Sequence, residues 1–258
     1  MKFLGLATDY DGTIARNGTV EPATCDALQE FKASGRRLIL VTGRELRELF
    51  SVFGRPEIFD RIVAENGGVL YNPATKRVKV LAAAPPESFV CCLRERGVRS
   101  LSIGRVLVAT QETYRNIIEE VLCELDLELN IVLNKGALMV LPPHVDKATG
   151  LLSALPELQL RPAELVGVGD AENDHAFLHF CGLSVAVANA LTSVKAQVQY
   201  VTDASHGGGV EELIATLLAQ ELEAERSREE VPGSKLQSGA VIDSFVDHFV
   251  ERNANPTR

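Results

Sequence analysis

The chain has 258 residues, 46% of them hydrophobic, enough for one large domain or a domain with a smaller companion. A net charge of −9 and the lack of any tryptophan argue against a nucleic-acid partner, which wants a basic face or a stacking platform, and against an anionic membrane surface. The five cysteines, Cys25, Cys91, Cys92, Cys123 and Cys181, are odd in number and form no CxxC pair, so all five read as reduced, mostly buried thiols. The apolar run before Asp9 is too short for a signal peptide and no later run is long enough to span a membrane, which predicts a cytoplasmic protein.

Residues 3–8 (FLGLAT) read as a buried strand: short, apolar and closed by turn residues. A helix is predicted over 21–34, with Pro22 in its first turn and Gly35 after its end. RRLILVTGR at 36–44 is a second buried strand, ELRELFSVFG a helix, RIVAENGG a third strand, and VLYNPATKRVKV a hairpin turning at Asn72–Thr75. Strand alternating with helix is the pattern of a parallel sheet covered by helices. Two proline pairs then interrupt it, at 82–86 (AAAPP) and 142–144 (PPH). The block between them is predicted as helix 87–97, strand 103–110, helix 112–125, strand 128–134 and strand 137–141, an inserted αβαββ unit with hinges at its two ends. The rhythm resumes with a helix over 146–158, strand 164–170, helix 172–182, strand 184–189, helix 193–200, a last strand from 200, and a long helix to about 230. VPGSKLQSG at 231–239 is a linker, and 240–252 has the apolar spacing of an amphipathic helix suited to self-association or to docking on a partner.

The fold class implied is α/β: a doubly wound, Rossmann-like parallel sheet over 1–81 and 147–230, with a smaller α/β cap domain over 82–146 and a tail over 231–258. In such sheets ligands bind outside the carboxyl ends of the strands. The chain puts its carboxylates there. Asp9 and Asp11 follow the first strand, Thr42, Gly43 and Arg44 the second, and Asp170, Glu172, Asn173 and Asp174 a later one. Carboxylates brought this close cannot all stay ionised without a cation. A hard divalent ion fits, and Mg²⁺ best, because it takes one or two carboxylates and completes its shell with water and a phosphate ester. The two aspartates of Asp9-Tyr10-Asp11 can then divide the work, one attacking phosphorus and the other moving protons. Gly12 lets the backbone approach a phosphate, and Thr13, Thr42 and the amides after it add donors. Lys147, just past the second hinge, is placed to neutralise the phosphate and hold the nucleophile ionised.

DYDGT at 9–13, LVTGR at 40–44, DKATGL at 146–151 and GVGDAENDHAF at 167–177 resemble, in order, the four motifs of the haloacid dehalogenase-like hydrolase superfamily. The position of the inserted block and AENGG at 64–68 resemble its type IIB (Cof-type) branch, over roughly residues 1–220. The small cap is similar to those of archaeal-type phosphoglycolate phosphatases and sucrose-phosphate phosphatases. The resemblance implies a Mg²⁺-dependent phosphatase of a small phosphorylated metabolite, working through an aspartyl phosphate. It implies Asp9 as nucleophile and metal ligand, and Asp11 as acid/base with its carbonyl on the metal. Gly12, Thr13, Thr42, Gly43, Arg44, Lys147 and Asn173 would be at the phosphate, with Asp170 on the metal and Asp174 supporting it. A phosphotransferase or phosphomutase would share this first half-reaction, and a regulatory module docked through 240–252 is a further alternative. Tyr10 is bulkier than the family's usual residue between the aspartates and is expected to alter the floor of the site.

Overall fold

The computed structural model describes residues 3–229. The predicted linker at 231–239 and the amphipathic helix at 240–252 lie outside the described residues.

The first strand, β1 (Gly5–Thr8), is buried at every position, as a strand flanked on both sides in a covered sheet must be. A small hairpin follows, β2 (Ala15–Arg16) and β3 (Thr19–Val20). It turns at Asn17 (φ 53°) and Gly18 (φ 78°), the Asn-Gly pair that tight hairpins favour. Helix α1 (Pro22–Ala33) has proline in its first turn and buries Thr24, Cys25, Leu28 and Phe31 along one stripe. Strand β4 (Arg37–Val41) and helix α2 (Leu46–Val52) come next, then β5 (Arg61–Ala64) and the antiparallel pair β6 (Val69–Asn72) and β7 (Arg77–Val80).

The interposed unit contains helix α3 (Glu87–Glu95), β8 (Ser102–Ile103), β9 (Val108–Gln111), helix α4 (Arg115–Glu124), β10 (Asn130–Asn134) and β11 (Ala137–Leu141). The strand expected over 103–110 is two strands: the chain turns back through Gly104–Leu107 and β8 pairs antiparallel with β9. The unit is therefore αββαββ, with a four-stranded sheet in the order β10-β11-β9-β8. The chain then returns through α5 (Lys147–Leu158), β12 (Leu165–Gly169), α6 (His175–Phe180), β13 (Leu183–Ala186), α7 (Thr192–Lys195), β14 (Tyr200–Val201) and α8 (Gly207–Glu229).

The large sheet runs β14-β13-β12-β1-β4-β5-β6-β7. Its first six strands are parallel, and β6 and β7 close one side antiparallel. β7 forms that end of the sheet, and all four of its residues, Arg77, Val78, Lys79 and Val80, are exposed. The order reverses at β1, where the chain leaves to one side through β4 and later fills the other through β12. Ligand crevices in doubly wound sheets open at such a point. Helix α5 lies against β4, β5 and β6 and packs with α6, while α1 lies against β4 and packs with α8.

Two apolar clusters sort the residues. The larger surrounds the eight-stranded sheet, and the smaller joins Phe89, Leu93, Ile118, Val121, Leu138 and Val140. Strand β11 divides itself between them by the two-residue period of a strand. Leu138 and Val140 belong to the smaller cluster, Met139 and Leu141 to the larger. The small sheet thus lays one face over the large unit. The five cysteines are all free, but only Cys25 and Cys181 are buried; Cys91 and Cys123 are exposed, turned away from the apolar stripes of α3 and α4, and Cys92 is intermediate, packed against the smaller cluster.

Candidate active site

The carboxyl ends of β1, β4 and β12 meet the first turn of α5 beneath the small sheet. Asp9 continues β1 directly, its amide donating to the Val168 carbonyl of β12. Helix α5 starts where it does because Asp146 caps it: the Asp146 carboxylate accepts the Thr149 amide (2.8 Å) and the Thr149 hydroxyl accepts the Asp146 amide (3.0 Å). Its first turn is seated against the loop after β5 by backbone-to-backbone contact. Gly67, at φ 108°, lies under the Asp146 carbonyl, where a Cβ would collide, and a Cβ on Gly150 would come within 2.5 Å of the Gly67 Cα. This packing drives Lys147 inward.

Lys147 has no exposed surface, and its Nζ donates to Asp9 Oδ1 (2.5 Å) and Asp174 Oδ1 (2.5 Å). The other oxygen of Asp174 accepts the amides of Asp170 (2.8 Å) and Ala171 (2.9 Å), so both oxygens of that carboxylate are engaged by the protein. Asp170 Oδ1 accepts from the Thr13 hydroxyl (3.1 Å), and Oδ2 is met by the ammonium of Lys135. Burial pushes Asp9 well above the usual carboxylate range; Lys147 opposes the shift, and the nearby charges of Asp174 and Asp170 add to it. Burial likewise raises Asp170 against the hydrogen bond from Lys135. Burial alone would lower Lys147, but attraction to Asp174 and Asp9 prevails and its ammonium is held more tightly than in water.

Carboxylate oxygens of Asp9, Asp170 and Asp174 lie within 4.8 Å of one another, all buried. A hard cation suits this set, since it would offset the burial and the added mutual repulsion that hold Asp9 and Asp170 above their ordinary range. Asp174 already accepts three hydrogen bonds, which leaves Asp9 and Asp170 the less engaged of the three toward such an ion.

The remaining predicted residues fall around this centre. Asp11 is half-buried and both its oxygens are taken by Arg44, through Nε (2.6 Å) and Nη2 (2.8 Å). Arg44, expected at the phosphate, is thus placed on the second aspartate, with its guanidinium 5.6 Å above the Tyr10 ring. Tyr10 is fully buried beneath that guanidinium, its hydroxyl donates to the Gly18 carbonyl (2.9 Å), and it packs edge-on against Phe53. Thr42 is buried, and its hydroxyl accepts the Arg44 amide (3.1 Å). Helix α2 begins at Leu46, so Gly43 and Arg44 belong to the turn before it and not to its N-terminus. Asn173 is buried; its Nδ2 donates to Asn66 Oδ1 (3.0 Å), while its own Oδ1 has no hydrogen-bond partner. Gly12 (φ 88°) brings its carbonyl to two donors, Asn189 Nδ2 (2.7 Å) and His206 Nδ1 (3.0 Å).

Four contributors escape the sequence reading. Asn189 and His206 hold the Gly12 turn, and their only sequence signals are a polar residue after a strand and a histidine before glycines. Glu65, buried at φ 51°, sends its Oε2 to the amides of Val106 (2.7 Å) and Leu107 (3.3 Å) in the small unit. Lys135 is a surface-type residue in a turn, and nothing local marks it as facing Asp170.

The haloacid dehalogenase-like hydrolase family model matches residues 6–99 and 93–214, which carry every element of this site. The chain is a haloacid dehalogenase-like hydrolase. Within the family it is 32% identical over 222 residues to a phosphoglycolate phosphatase of Haloarcula marismortui, covering 81% of this chain and 95% of that one. It is 29% identical over 216 residues to a phosphoglycolate phosphatase of Methanothermobacter thermautotrophicus, covering 81% and 96%. Among solved structures, a haloacid dehalogenase-like hydrolase from Bacteroides thetaiotaomicron superposes with TM-score 0.72 at 21% identity, covering 84% of this hydrolase and all of that chain. A subclass IIB sugar phosphatase superposes with TM-score 0.67 at 18% identity, covering 83% and 98%. These two likenesses establish the fold of the hydrolase.

Proposed function

We propose that this hydrolase is a Mg²⁺-dependent phosphatase of a small phosphorylated metabolite that works through an aspartyl phosphate on Asp9. The observation that carries the reading is the buried lysine shared by Asp9 and Asp174, with Asp170 beside them. The names of the curated relatives support the reaction class. Asp9 Oδ1 accepts from Lys147, which leaves Oδ2 to form the bond to phosphorus as the bond to the leaving oxygen breaks. Asp11 gives its proton to that oxygen. A water then attacks phosphorus, Asp11 takes up its proton, and the bond from Asp9 to phosphorus breaks. Both oxygens of Asp11 are on Arg44, so either proton transfer requires Arg44 to release at least one. Lys147 favours the ionised form of Asp9 and lends positive charge to the phosphoryl group, Thr13, Thr42, Gly43 and Asn173 line its approach, and the small unit over 82–146 acts as a cap that limits the entry of bulk water. Mg²⁺ held by Asp9, Asp170 and the Asp11 carbonyl would polarise the phosphoryl oxygens.

The test is a panel of phosphate esters with and without Mg²⁺, run beside Asp9→Asn. Phosphate release should require the metal and fall by about 10³-fold or more in the variant, whose circular dichroism stays that of the wild type. Undiminished turnover by Asp9→Asn, or none by the wild type on any ester, refutes the reading. Phosphate recovered on an added alcohol in place of water would reassign the chain as a phosphotransferase.

A further inference from the structure

We infer that Asn66 is a positioning residue: its carboxamide decides which end of the Asn173 amide faces the phosphoryl group, and the two amides turn over together when an anion enters. The inference rests on the phosphatase reading and adds to it the residue that makes Asn173 a donor.

Asn66 and Asn173 are 1% and 8% exposed, and one hydrogen bond joins them, from Asn173 Nδ2 to Asn66 Oδ1 (3.0 Å). Asn66 stands at φ 53°, a left-handed conformation that asparagine tolerates and most side chains do not. Its backbone amide donates to the Thr42 carbonyl (3.0 Å), which fastens the turn after β5 to the end of β4. Asn173 lies in the single helical turn Glu172–Asp174 after β12, beside Asp170. The pair thus ties together three strand ends around the centre, and β10 of the small unit lies against the Asn173 turn.

The bond between them runs the wrong way for the chemistry. Asn173 spends its nitrogen on Asn66, and its Oδ1 is buried with no hydrogen-bond partner. A buried acceptor without a donor is unfavourable, and an oxygen repels the phosphoryl oxygens that this centre would receive. A half-turn of a carboxamide exchanges its oxygen and nitrogen in nearly the same volume. With both amides turned, Asn66 Nδ2 donates to Asn173 Oδ1, so the bond between them is kept in reverse. Asn173 Nδ2 then stands where the idle oxygen stood, free to donate to the anion. Without an anion the turned pair would hold an NH2 group with idle hydrogens, so the arrangement seen here belongs to the empty centre. The anion supplies the difference in interaction that shifts the balance. A side chain at position 66 must both donate and accept to hold Asn173 in either sense.

The experiment measures binding of inorganic phosphate by calorimetry, with Mg²⁺, to the full-length wild type, Asn66→Gly and Asn66→Asp. Glycine accepts the positive φ, so Asn66→Gly removes the amide without straining the turn. Aspartate keeps the shape but only accepts, and holds Asn173 in the sense seen here. Asn66→Gly should bind phosphate about 3- to 10-fold more weakly than the wild type, and Asn66→Asp about 10- to 100-fold more weakly, as loss of a charge-assisted bond predicts. An Asn173→Ala background removes the amide on which both changes act and leaves only the charge of aspartate. There Asn66→Gly should cost no more than about twofold further, and Asn66→Asp should agree with it within about threefold. KM for the ester turned over fastest should rise in the same order as the phosphate affinities fall. Circular dichroism checks that each variant folds; if Asn66→Asp does not, Asn66→Gly with and without Asn173→Ala decides alone. Wild-type affinity in the Asn66 variants, a weakening that persists in full with Asn173→Ala, or no binding of phosphate by the wild type each overturns the inference. Ester turnover by the wild type alongside any of these leaves the phosphatase reading standing. No turnover on any ester alongside the expected order of affinities sinks that reading and keeps the role of Asn66.

Discussion

The fate of Lys147 shows how a residue can carry structure and chemistry together. A lysine with no exposed surface is tolerable only because two carboxylates flank it. Lys147→Met removes the partner and leaves Asp9 and Asp174 buried without it, which should destabilise the fold by about 3–5 kcal/mol. The loss should depend on pH in a defined sense. Asp9 already sits above its ordinary value through burial, and without Lys147 it rises further. A group whose folded pKa is raised contributes stability below its unfolded value, about 3.9 for aspartate, and loses it as pH climbs through the folded value. Denaturation in the presence of a chelator should therefore show a larger deficit for the variant at pH 8 than at pH 5. An equal deficit at both would mean that Asp9 is not the group left stranded. The sequence made Asp9, Asp11, Asp170, Asp174 and Lys147 legible because each follows a recognisable strand end or hinge. It did not show that Arg44 would go to Asp11, since one strand end offers a guanidinium several acceptors at similar reach. Lys135 was hidden for another reason: its partner is 35 positions away and belongs to another unit.

Among the elements, the parallel strands and their helices were readable because β1, β4 and β12 are short apolar runs bounded by turn residues. The strand predicted over 103–110 failed because the turn at Gly104 is set by tertiary contact. A Cβ on Gly104 would press on the Glu65 carboxylate, so the glycine answers to a residue 39 positions earlier. The β2–β3 hairpin carries the strong local signal Asn17-Gly18, but its strands are two residues each, too short for any apolar period to appear. Helix α5 gives the sharpest test of element packing. Its first turn rests on Gly67, whose positive φ and contact with the Asp146 carbonyl leave no room for a side chain. Gly67→Ala should cost about 1–3 kcal/mol by overpacking, and more through its φ of 108°. It should also lower kcat, because Lys147 is carried on that turn. A variant with the wild-type Tm and kcat would show that the loop yields without moving the helix.

At the scale of the whole molecule, the two units are joined by more than their connecting segments. Glu65, rooted beside β5, accepts two amides of the small unit and so anchors the Val106–Leu107 loop to the large one. Glu65→Ala would leave buried amides without acceptors, at about 1–3 kcal/mol, and the loss should appear as looser attachment. Limited proteolysis should cut faster at the proline-containing segments 82–86 and 142–144, with the Tm falling alongside. Protection equal to that of the wild type would place the anchoring elsewhere. This link was invisible in the sequence, where Glu65 stands in the family-like stretch AENGG but nothing ties it to Val106 and Leu107.

The end of the large sheet carries a different kind of consequence. Strand β7 presents four exposed residues in which Arg77 and Lys79 alternate with Val78 and Val80, and no further strand pairs beyond it among the described residues. An open edge of this kind is a template for another chain, and interspersed cations are what discourage such pairing. Those two charges thus govern colloidal behaviour. Arg77→Thr/Lys79→Thr should retain the wild-type fold and turnover when dilute, yet at high concentration form larger species in light scattering and precipitate sooner on warming. If the doubly substituted protein stays as dispersed as the parent, solubility is secured elsewhere on its acidic surface.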